Sequence, residues 1–86
     1  MFIKQIVIKG SGGEVEIARL APGAALVTSG DRVLCEFTTR DGTDVRFAKA
    51  YEAAKVVYGT DSKGRANGTN SMVREVLHEI ERVAGC

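Results

Sequence analysis

Apolar residues recur along this chain at two periods, and the change from one to the other falls near Phe47. Residues 2 to 9 put Phe2, Ile6 and Ile8 on one side and Ile3 and Val7 on the other, the pattern of a strand covered on both faces. Gly10-Ser11-Gly12-Gly13 ends it, and the alternation of Val15 and Ile17 with Glu14, Glu16 and Ala18 predicts a half-buried second strand over 14–20 that returns as a hairpin. The turn Ala21-Pro22-Gly23 leads to a short third strand over 24–28. Ser29-Gly30-Asp31 then precedes a fourth over 32–39, with Val33, Cys35 and Phe37 on one face. Asp41-Gly42 is a favoured two-residue hairpin pair, because both central positions of that turn need positive φ. Thr43 to Phe47 accordingly reads as a fifth strand or as the first turn of a helix.

Beyond Phe47 the spacing of Ala50, Tyr51, Ala54, Val57 and Tyr58 predicts a helix stopped by Gly59. Residues 60–71 hold Gly64, Asn67 and Gly68 and no large apolar side chain until Met72, which predicts a long, exposed and mobile connection. Asn70 or Ser71 can cap a second helix in which Val73, Val76, Leu77, Ile80 and Ala84 form one stripe, while Arg74, His78 and Arg82 point away. The fold class expected is α+β: an antiparallel meander of four or five strands packed by two C-terminal helices, in a single domain over residues 1–86.

Eighty-six residues leave no room for a second domain, and 44% hydrophobic with 27% charged residues is the balance of a folding chain. Twelve Lys and Arg against eleven Asp and Glu give a net charge of +1, so no global field draws the protein to nucleic acid or to an anionic membrane. Lys4, Gln5 and Lys9 break the first apolar run too early for a signal h-region or a membrane span, which sets the expectation of a cytoplasmic protein with no membrane partner. In that compartment Cys35 and Cys86 are expected to be reduced.

Candidate chemistry is sparse. The Gly10–Gly13 loop lacks the helix N-terminus that a phosphate cradle needs, since a strand follows it. Gly59 to Arg65 has the Gly-x-x-x-x-Gly spacing but continues with Arg65 and Ala66 in place of Lys and Ser or Thr. His78, the only histidine, has Arg74 and Arg82 four residues to either side, a poor setting for a metal ligand or a general base. Cys35 has apolar face-mates and no neighbouring base, and Glu75, Glu79 and Arg82 are spaced as a salt-bridged helix face. The expectation is a non-enzymatic chain with no catalytic residue, no metal and no cofactor. What remains is a local basic strip, Lys63, Arg65 and Asn67 in the connection followed by Arg74, His78 and Arg82 on the last helix, which fits either a plain solvated face or a site for an acidic partner.

The order of elements, a small sheet followed by an irregular loop and a C-terminal amphipathic helix, resembles the architecture of small phage-encoded anti-defence inhibitors of the anti-CRISPR type. The likeness is one of element order over the whole chain. It implies a protein that binds a bacterial protein or ribonucleoprotein complex through exposed loop and helix residues and blocks a nucleic-acid-binding surface. The hairpin-to-helix segment with Ala50-Tyr51-Glu52-Ala53-Ala54 also resembles the three-stranded DNA-binding domains of integrase arms and plant ethylene-response factors, which implies a nucleic-acid-binding module as the alternative. This chain has no Trp, and its Arg32, Arg40 and Arg46 are offset by Asp31, Glu36, Asp41 and Asp44. Arginines clustered on an open sheet face would favour nucleic acid, and a helix-covered sheet would favour the inhibitor. A homodimer through an exposed sheet edge stays open as a third, purely structural reading, because five short strands leave two edges.

Overall fold

A computed structural model describes residues 5–85. Four strands, β1 (Gln5–Lys9), β2 (Glu14–Ala21), β3 (Ala24–Ser29) and β4 (Arg32–Thr38), are followed by two helices, α1 (Thr43–Tyr58) and α2 (Asn70–Ala84). Each strand pairs antiparallel with the next, so the sheet runs β1-β2-β3-β4 as a meander. Phe2, Ile3 and Cys86 lie outside the described residues.

The alternation of β2 and β3 works as their sequence predicts: Val15, Ile17, Ala25 and Val27 are fully buried under the helices. They meet Phe37 from β4, Ala50, Ala53, Ala54 and Val57 from α1, and Val73, Val76, Ile80, Val83 and Ala84 from α2. Both helices lie on this face, and the other is open. That corrects the reading of β1 as covered on both sides, because Ile6 and Ile8 pack on the core while Val7, on the open face, is 47% exposed.

β4 departs from simple alternation. The register steps from Val27↔Cys35 to Thr28↔Val33, so Leu34 is an extra residue and the strand bulges there. Val33 therefore turns out to solvent while Phe37 stays buried and Cys35 is half-buried; the three do not share one environment. A similar step leaves Leu20 unpaired at the end of β2.

Among the described residues the sheet has four strands, and the expected fifth over Thr43 to Phe47 does not form. Gly42 sits at φ −62°, ψ 162°, an extended conformation that opens a helix rather than closing a two-residue hairpin, and the amide of Arg46 donates to its carbonyl at 3.0 Å. Thr43 to Phe47 thus forms the first turns of α1. The helical period that carries Ala50 and Ala54 into the core extends back through Phe47, and the competing strand would have had to bury Val45, which stays 47% exposed.

α1 starts near the β2–β3 turn and runs to the β1–β2 turn, where the Gly12 amide donates to the Val57 carbonyl at 2.9 Å. Approach is so close that a Cβ on Gly12 would overlap the backbone of Gly59. α2 runs back, and the Gly23 amide meets the carbonyl of Ala84 at 2.7 Å. Thr69, rather than the expected Asn70 or Ser71, caps it by accepting from the Met72 amide at 3.3 Å; Gly85 closes it in the left-handed conformation at φ 89°, its amide reaching the Glu81 and Arg82 carbonyls.

Candidate protein-binding site

Residues 60–71 are not a structureless connection. The Asp61 carboxylate accepts from the amides of Lys63 (2.9 Å) and Arg65 (3.0 Å) and from Arg65 Nε (3.2 Å), while the Asp61 amide donates to the Arg65 carbonyl. These donors, the amide of Arg65 foremost, hold its carboxyl below the usual carboxylate value against the opposing effect of desolvation. The turn is then fastened to α1: the Ala66 amide donates to the Tyr51 hydroxyl at 2.9 Å and the Asn67 amide to the Gly59 carbonyl at 2.9 Å. The sequence signal was present in Asp61, whose side chain can cap amides two and four residues on.

The six residues expected to bind a partner are all exposed, but they do not act as one strip. Arg65 is committed to Asp61, Arg82 pairs with Glu79, and His78 Nδ1 lies 3.8 Å from Glu81. Lys63 and Asn67 ride on the Asp61 turn, packed against the C-terminal half of α1. Arg74 and His78 instead line a groove of about 650 Å³ where the N-terminal turns of α1 meet the outer side of α2. Its floor is Phe47 and Leu77, both half-buried and packed on the core, and its rim adds Thr43, Asp44 and Asn70. Among the described residues no carboxylate pairs with Arg74. Of the residues singled out from the sequence, Arg74 and His78 line this groove; Phe47 and Leu77, which line it too, were not singled out, because their helical spacing reads only as core.

Two side chains tie α1 to its surroundings at this end. Arg46 pairs with Glu81 of α2, and Lys49 Nζ bridges the Asp41 carboxylate and the Glu36 carbonyl, each at 2.8 Å. Arg46 is therefore on the helix layer, Arg32 is at the β3–β4 turn and Arg40 follows the far end of β4, so the three arginines do not gather on the open sheet face. That face carries Glu14, Glu16 and Glu36 with Lys9, and Lys9 lies 3.8 Å from Glu14. Phe37 is fully buried, and the Tyr51 hydroxyl is held by the loop with Lys55 over its ring at 5.9 Å, so neither offers a base-stacking surface. The Cys35 thiol is pushed up by burial, an effect that Lys49 opposes and Glu52 reinforces, which disfavours the thiolate a nucleophile requires.

Among the described residues no group of three or more His, Cys, Asp or Glu could hold a metal ion, and no helix is long and apolar enough to cross a membrane. Comparison with known protein families, curated proteins and solved structures found no match.

Proposed function

We propose that this chain is a non-enzymatic protein-binding domain whose contact surface is the groove between α1 and α2. The observation that carries the reading is the pairing of an apolar floor, Phe47 and Leu77, with the guanidinium of Arg74, which has no ion-pair partner among the described residues, beside exposed His78. Such a groove suits a partner segment that inserts one apolar side chain and presents a carboxylate to Arg74, the apolar contact supplying affinity and the charge fixing orientation. In its more specific form the reading is that of a phage-type inhibitor occupying an effector surface of a bacterial defence complex. Its support is the likeness in element order to the anti-CRISPR type together with helices that cover one face of the sheet and an open face on which Arg32, Arg40 and Arg46 do not gather. The acidic open face of the sheet speaks against phosphate binding there.

The test is recovery of partners from bacterial lysate by the tagged protein, with and without nuclease, comparing wild type with Leu77→Asp and Arg74→Glu. A protein or ribonucleoprotein that survives nuclease and is lost with both variants, while circular dichroism shows them folded, is the expected result. Recovery of nuclease-sensitive nucleic acid alone, or of a partner indifferent to both changes, overturns it.

A further inference from the structure

β4 pairs only with β3 and so presents one side of its backbone unpaired among the described residues. α1 runs along that edge in the opposite direction. Its start meets the end of β4, where Cys35 lies near Asp44, Val45 and Ala48, and its last turns lie near the beginning, where Arg32 and Leu34 face Lys55 and Thr60. The two cavities between them, about 400 and 420 Å³, share Leu34 and Glu52 and form one groove along the edge.

Three properties of this groove belong together. Alternate residues of an antiparallel edge strand turn both N–H and C=O outward, and Glu36, whose carbonyl meets the Lys49 ammonium, is one of them. Two of the large apolar side chains left exposed, Val33 at 60% and Val45 at 47%, flank it, one from the strand and one from the helix. Val45, Ala48, Glu52 and Lys55 also fall on one stripe of α1, with small Ala48 exposed in the middle. Among the described residues the charges left without an ion-pair partner are segregated by end: Arg32 lies at the start of β4 and Asp44 near its finish, while Lys55 is held by Glu52 and Lys49 by Asp41.

We propose that this edge is where the chain binds a second copy of itself, β4 adding antiparallel to the partner's β4 and α1 packing beside the partner's α1. A two-fold axis across the edge reverses the strand direction, so the Arg32 end of one copy meets the Asp44 end of the other, twice over. The edge is thus complementary to itself in charge, in backbone hydrogen bonding and in the apolar stripe; a foreign strand would need to supply all three. The Glu36 carbonyl keeps a second lone pair for the partner's amide, so Lys49 need not leave. Asp44 borders both this edge and the α1/α2 groove, whereas Arg32 and Val45 line the edge alone, so variants at those two positions separate failure of this assembly from failure of that groove.

Sedimentation velocity from micromolar to millimolar concentration tests it, with amide exchange along β4 as the second readout. A concentration-dependent dimer with protection gained at Val33 to Glu36 is expected. Val45→Lys, an exposed position where the fold tolerates a charge, should weaken the dimer about tenfold or more. Arg32→Glu should weaken it too, and adding Asp44→Arg to that variant should restore it, which a merely structural role for either residue would not produce. A chain that is monomeric throughout, or a dimer indifferent to all three variants, overturns the proposal. So does protection of β4 that appears only when cell extract is added, which would give the edge to a foreign strand.

Discussion

The two helices share one core but are made in different ways. α2 buries Val73, Val76, Ile80, Val83 and Ala84 along one stripe, and both its ends are marked by residues that satisfy the backbone, Thr69 before it and Gly85 after it. α1 buries alanines, Ala50, Ala53 and Ala54, before its first large buried side chain at Val57, and Gly42 gives it no side-chain cap. Its position depends on contacts with other elements: Arg46 to Glu81, Lys49 to Asp41 and Glu36, and Tyr51 to the loop amide of Ala66. A helix with a strong stripe and two caps carries its own boundaries. One lined with small residues is placed by what it touches, and the alanines are what let it approach the sheet closely.

The largest effect should come from the stripe of α2. Ile80→Ala removes a fully buried side chain and is expected to cost about 2–5 kcal/mol in urea unfolding. Arg46→Ala breaks the half-buried pair that fixes the start of α1 against α2 and should cost about 1–2 kcal/mol, less than a fully buried pair because water screens it. Increased amide exchange in the first turns of α1, with the middle of α2 unchanged, would confirm that α1 is positioned from outside.

The caps sharpen the contrast. Thr69→Ala should destabilise by about 1 kcal/mol, whereas Gly42→Ser should stabilise by about a few tenths of a kcal/mol, since it supplies a missing cap where a Cβ meets nothing within 4 Å. A loss from Gly42→Ser as large as that from Thr69→Ala would sink the view that the start of α1 lacks only a cap.

The smallest effect is local and acid-dependent. The folded-state carboxyl of Asp61 lies below its ordinary value of 3.8, so its contribution is present above that value and is lost as pH falls through the lowered one. Amide protection at Lys63 and Arg65 should disappear in that acid range ahead of global unfolding, and Asp61→Asn should abolish the pH dependence. In the same turn Arg65→Glu would set a carboxylate against Asp61, so Lys63→Glu is the cleaner probe of a basic loop.

Much of the sheet was legible because one buried face imposes strict alternation, as Val15 and Ile17 show. Where the rule failed, a local device had intervened. The bulge at Leu34 turned Val33 outward, and Asp41-Gly42 has the composition of a hairpin turn yet serves as the approach to a helix. Of the candidate groove, Arg74 and His78 were visible as the polar side of α2. Phe47 and Leu77 were not, since a floor residue that is half-buried has the same spacing as one that is wholly buried.

The sequence by itself determined the four hairpin-linked strands and the stripe and extent of α2, because these depend on periodicity and on residues close in the chain. Only the tertiary structure decided that both helices cover one face and leave Val7 outside. It also decided that Asp61 and Tyr51 tie the loop down, that Arg46 belongs to a helix contact, and that α1 borders an open edge of β4. Each of these joins residues whose partners are set by the path of the chain through space, a quantity that no local pattern of hydrophobic and polar positions encodes.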